Sequence, residues 1–99
     1  MQFNSIDSIV CSNYILNFYE GKDSNIIEIL HSKRGWPVIA DIHVMKVKDI
    51  SSYSLMTKED DGNICVYFRL KNSKEIRSIT LDYDFKELQD KLLFWLMKS

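Results

Sequence analysis

Ninety-nine residues allow one domain with one hydrophobic core and no room for a second. Hydrophobic residues at 45%, charged residues at 27% and a single proline exclude a disordered chain. Thirteen Lys and Arg against fourteen Asp and Glu leave a formal charge of -1, without the basic excess that binding to nucleic acid or anionic lipid draws on.

Residues 1–12 admit two readings. Phe3, Ile6, Ile9 and Val10 suit a short helix after Ser5, or a strand enters at Ile9. The opening Met-Gln-Phe-Asn-Ser has neither the basic n-region nor the apolar h-region of a secretory signal. No apolar run reaches the roughly 20 residues that span a bilayer. The expected location is cytoplasmic. Cys11 and Cys65 then stand as small core hydrophobes, with a disulfide or a reactive thiol as the alternatives.

From Asn13 a period of two sets in, with Tyr14, Leu16 and Phe18 opposite Ile15, Asn17 and Tyr19. The polar run 20–25, holding Gly21, is a loop, and Ile26 to His31 follows as a second strand, although its apolar residues also suit one or two helical turns. Residues 32–37 turn the chain, and Pro37 holds Trp36 extended. Val38 to Asp49 reads as one long strand whose apolar phase shifts: Ile42 and Val44 point one way, Met45 and Val47 the other. Either both faces are covered or a β-bulge sits near Val44–Met45. Tyr53 to Met56 is a short strand, and the polar loop 57–63 carries the hairpin signal Asp61-Gly62. Ile64, Val66, Phe68 and Leu70 share a face of the next strand, and residues 75–83 form the last.

The period then changes to about 3.6. Over residues 84–98, Asp84 caps a helix with Glu87 three residues on. Phe85, Leu88, Leu92, Trp95 and Leu96 cover one face, and Leu93 and Met97 widen it. Lys86–Asp90 and Glu87–Lys91 are spaced to pair at i,i+4. Phe94 falls on the far side of this wheel.

The expected fold class is α+β: a bent antiparallel sheet of six to seven strands, a meander forming a half-barrel, packed by one C-terminal amphipathic helix, with residues 1–99 a single domain. That order of elements resembles the pleckstrin-homology-like architecture. The resemblance implies a module for a lipid head group or a peptide, and Lys33-Arg34 with Lys46 and Lys48 are the basic residues such a module would use.

No catalytic signature is present: no G-x-S-x-G, no P-loop, no Rossmann fingerprint and no CxxC. Pairing 26–31 with 38–43 puts His31 and His43 on the order of 15 Å apart, too far for one metal. Asp41, inside an apolar strand, is expected to face solvent and to pair weakly with His43. The reading is no enzyme, no metal and no cofactor.

In a meander, alternate loops emerge at one end. Loops 32–37 and 57–63 should meet there beside the corner at Asp82–Asp84, collecting Lys33, Arg34 and Trp36 with Glu59, Asp60, Asp61 and Asp82. Trp beside opposed charges suits a protein-binding site. The alternative is a set of solvated loops with Trp36 folded back on the core. In size, single-domain build and wealth of Ile, Lys, Asn and Ser, the chain is similar to the immunity proteins of bacterial contact-dependent growth-inhibition systems. That resemblance implies a cognate toxin domain as partner, its active site occluded. Acidic residues 59–61 and Asp82 would steer a basic partner, and Trp36 and Phe94 would anchor it.

Overall fold

The computed structural model describes residues 6–74 and 76–97. Phe3, Glu75 and Lys98, to which the sequence readings of the first segment, the last strand and the helix extend, lie outside them. Seven antiparallel strands form two sheets, and one helix follows. The first sheet has the order β1 (Asp7–Val10), β2 (Tyr14–Tyr19), β3 (Ile26–His31) and β4 (Asp41–Lys46). The second has the order β5 (Ile50–Thr57), β6 (Ile64–Leu70) and β7 (Ile76–Leu81). The helix α1 spans Phe85–Met97.

The alternation read from the sequence is what the sheets bury. Ile9, Leu16, Phe18, Ile27, Ile29 and Met45 point inward from the first sheet, and Ile64, Val66, Phe68, Ile79 and Leu81 from the second. Full burial of each large side chain contributes about 1.5–3 kcal/mol. Leu88, Leu92 and Trp95, at i, i+4 and i+7, close the same core from the helix, and Leu96 packs at its margin. Trp95 stacks on Phe18 with ring centroids 5.3 Å apart. The helix starts where expected: the Glu87 N–H donates to Asp84 Oδ2 at 3.0 Å.

The ambiguity at the start of the chain resolves as a strand. Asp7 pairs with Phe18 and Val10 with Ile15. The helix ties this strand down: Lys91 reaches Asp7 at 3.2 Å, and the Trp95 indole N–H donates to Asp7 Oδ2 at 3.3 Å. Lys91 therefore pairs across the core, and among the described residues neither expected i,i+4 ion pair of the helix is formed.

The stretch 38–49 differs from both expectations for it. Residues 41–46 pair with β3 in unbroken register, so no bulge sits at Val44–Met45. Nor are both faces covered, because Met45 is buried while Ile42 and Val44 stay exposed. Val47 is buried through a different device, a 3-10 turn over Val47–Asp49 that carries the chain into the second sheet. The bend expected of one sheet is thus a break between two. The strand that follows is longer than Tyr53–Met56, and its register shifts between Ile50 and Ser52, where the irregularity does fall. Gly62 takes φ 74° in the β5–β6 hairpin, the conformation its Asp-Gly signal calls for.

Candidate functional site

The β1–β2 turn, the end of β3, the β5–β6 loop and the β7–α1 corner converge at one end of the two sheets. A pocket of about 450 Å³ opens there, lined by Ser12, Asn13, Tyr14, His31, Asn63, Thr80 and Asp82. The meander brings the loop ends together as the topology implied, since Asn63, His31 and Asp82 share one cavity. The β1–β2 turn is the part the sequence reading missed. Its signal was the Ser12-Asn13 pair, a turn former between Cys11 and Tyr14.

Asp82 organises the pocket. Its carboxylate accepts the Ser12 hydroxyl and the Ser12 N–H, the latter at 2.9 Å. Those two bonds hold its pKa below the usual carboxylate value, so it is ionised at neutral pH. Burial, reinforced by the Asp82 charge, pushes the Cys11 thiol up to about 11. Tyr14 and His31 stack at 4.5 Å, nearly parallel, and His31 Nδ1 lies 3.5 Å from Asp41 Oδ2. Burial and then the Asp41 charge raise the Tyr14 pKa.

Asp41 therefore meets His31 across the strands rather than His43 along its own strand. The histidines themselves are closer than expected. The connection between β3 and β4 runs to residue 40, so pairing begins at Asp41 and sets Ile29 opposite His43. His31 and His43 are diagonal neighbours at roughly 7–8 Å, not residues at opposite ends of a pair. Among the described residues no group of three or more His, Cys, Asp or Glu could hold a metal ion. Both cysteines are free thiols, Cys11 buried and Cys65 half-buried, with Cys65 Sγ 3.7 Å from Thr80 Oγ1.

The remaining expected site residues divide. Lys33 and Arg34 are exposed on the β3–β4 connection, and Glu59, Asp60 and Asp61 on the β5–β6 loop. Among the described residues no ion pair joins the two groups. Asp61 instead pairs with Lys58 at 3.7 Å and accepts the Asn63 N–H at 2.9 Å. Trp36 folds back: its indole N–H donates to the Cys11 carbonyl at 3.1 Å, pinning the β3–β4 connection to the β1–β2 turn. Phe94 is held apart from this end. It lies ten residues beyond Asp84, about 15 Å along the helix axis, and meets Trp95 edge-on at 5.7 Å. With Asp90, Leu93 and Met97 it lines a shallow, open groove.

The pocket offers a carboxylate, hydroxyls, carboxamides and a stacked Tyr–His pair. That is a surface for holding a polar or cationic group, with the Ser12 hydroxyl committed to Asp82. Comparison with known proteins finds no matching family model, no matching curated protein and no matching solved structure. Among the described residues no helix is long and apolar enough to cross a membrane.

Proposed function

We propose that this chain is a protein-binding inhibitor that presents its loop end to a basic surface of a partner and covers that partner's active site. Immunity proteins of bacterial contact-dependent growth-inhibition systems work in this way, with a toxin domain as partner and the cytoplasm as the place of encounter. The observation that carries the reading is the pocket with ionised Asp82 in its wall, beside the exposed run Glu59-Asp60-Asp61. A partner's Lys or Arg entering it would meet Asp82 and the faces of Tyr14 and His31, which suit a guanidinium. The local acidic field steers association even though the molecule as a whole is nearly neutral. Lys33, Arg34 and Trp36 would add contacts from the β3–β4 connection, which Trp36 ties to the β1–β2 turn, and the chain acts by occupancy rather than catalysis.

The test compares the wild type with the Glu59→Lys, Asp60→Lys, Asp61→Lys triple variant as tagged baits in native cells. Wild type is expected to hold one stoichiometric partner through a wash at about 0.5 M salt, where exposed charges are screened beyond a few Å. The variant should bind that partner more slowly and with a flatter salt dependence. Equal affinity and equal salt dependence would rule out docking through the acidic end.

A second reading has one observation in its favour. The order of four strands, three strands and a terminal helix resembles that of a pleckstrin-homology-like module, whose basic residues would be the exposed Lys33, Arg34, Lys46 and Lys48. Flotation with anionic vesicles at low salt decides it, and protein left at the bottom of the gradient ends the lipid version.

A further inference from the structure

The first sheet leaves its two edges in different states. At β1 the helix reaches across: Lys91 donates to the Ser8 carbonyl at 3.1 Å, and Lys91 and Trp95 both hold Asp7. Among the described residues no strand neighbours the outer edge of β4. No proline or bulge interrupts 41–46, and of the devices that usually blunt an edge it carries only the charges at its two ends, Asp41 and Lys46. Instead, the segment leading along it is apolar and open to solvent. Val38 is 53% exposed, Ile39 46%, Ile42 56% and Val44 62%, and Ala40 is exposed as well. A row of apolar side chains, Val10, Ile15, Leu30 and Ile42, crosses the outer face of all four strands and stops at this edge.

We propose that β4 pairs antiparallel with β4 of a second copy about a two-fold axis passing through Ile42, joining two four-stranded sheets into one of eight. The side chains of 38–46 are self-complementary in that register: within β4 it sets 41–43 against 43–41, and residues 38–40, which lead into the strand and lie outside it, would extend it on pairing. Directly opposed residues share a face. Ile42 meets Ile42 of the second copy, so the apolar row runs without a break across both molecules. Ala40 meets Val44, Ile39 meets Met45, and Val38 lies along the aliphatic stem of Lys46. The only two polar residues inside the segment, Asp41 and His43, meet each other twice, a carboxylate against an imidazole on either side of the axis. Moving the axis to His43 sets histidine against histidine and Asp41 against Met45. Moving it to Val44 sets Ile42 against Lys46. The occupant is thus a second copy of this chain, because the match belongs to the segment paired with itself. This pairing does not rest on the proposed partner, although Asp41 touches the pocket through His31 at 3.5 Å.

Analytical ultracentrifugation of the wild type up to about 1 mM should show a monomer–dimer equilibrium. Ile42→Lys places two ammonium groups opposite each other and should raise the dissociation constant at least about tenfold. Its circular dichroism should be unchanged, because the residue is exposed. The register is read by oxidation with diamide. Ile42→Cys should form a disulfide-linked dimer, Val44→Cys should not, and a mixture of Ala40→Cys with Val44→Cys should cross-link between the two variants. The wild type, with Cys11 and Cys65 alone, is the control. A monomer at every concentration overturns the proposal. So does a dimer indifferent to Ile42→Lys, or one in which Val44→Cys cross-links as readily as Ile42→Cys.

Discussion

Replacing Asp7 with alanine breaks the tie between the first strand and the terminal helix, and the structure sets the size of the effect. Trp95 is 2% exposed, and its indole N–H has Asp7 Oδ2 as acceptor. Without it a buried donor is left unpaired, at about 1–3 kcal/mol. The Lys91–Asp7 pair is roughly a third exposed at both side chains, 29% and 35%, so solvent screening limits it to about 0–1 kcal/mol. Lys91 also keeps its bond to the Ser8 carbonyl. Asp7→Ala should therefore destabilise by about 2–3 kcal/mol in urea unfolding, or on the order of 10–20 °C in Tm for a domain of this size. The effect also has a pH signature. Burial raises the Asp7 pKa, but the bonds from Trp95, Lys91 and the Ser8 N–H outweigh it and leave the pKa lowered. A lowered folded pKa contributes stability that is present above the unfolded value near 3.9 and lost as pH falls through the folded one. The gap between wild type and Asp7→Asn should be constant above about pH 5 and narrow below about pH 4. An Asp7→Ala protein within about 0.5 kcal/mol of wild type, or a gap that widens in acid, would refute the reasoning.

Two further outcomes follow from close contacts elsewhere. A Cβ at Gly21 would collide with the Ser24 carbonyl oxygen, which is backbone and cannot swing aside. Gly21→Ala should therefore cost about 1–3 kcal/mol by thermal unfolding, whereas an alanine tolerated without loss would mean that the 20–25 loop shifts freely. Cys11 is buried with its pKa raised to about 11, first by burial and then by Asp82. At neutral pH only Cys65 should take up a thiol reagent in the folded protein, and equal rates at both cysteines would contradict that burial.

Local pattern was enough for much of this molecule. Period-two runs at 14–19 and 64–70 and the period-3.6 run after Asp84 specify strands and a helix, because burying one face of each element leaves little choice of backbone; 26–31 suited a strand or a helical turn, and pairing with β2 and β4 made it a strand. Asp84 and Gly62 mark a helix start and a hairpin by chemistry confined to a few residues. That Asn63 and Asp82 share one end follows from the same pattern, since a meander returns alternate loops to one end.

What the sequence left open turns on partners distant in the chain. Whether Ile9 lay on a helix or a strand was decided by β2, which pairs with it, and by Lys91 and Trp95, more than eighty residues away, which hold Asp7. The two-sided apolar run at 38–49 was ambiguous because burial of Met45 and Val47 uses a strand and then a 3-10 turn, and only the docking of two sheets defines where one gives way to the other. Asp41 found His31 across the sheet, Trp36 found the Cys11 carbonyl, and Lys91 left its helix neighbours for Asp7. Periodicity along the chain determines which face of an element is apolar. Which polar groups meet is set by register and by the packing of one layer on another, and those exist only once the tertiary structure has formed.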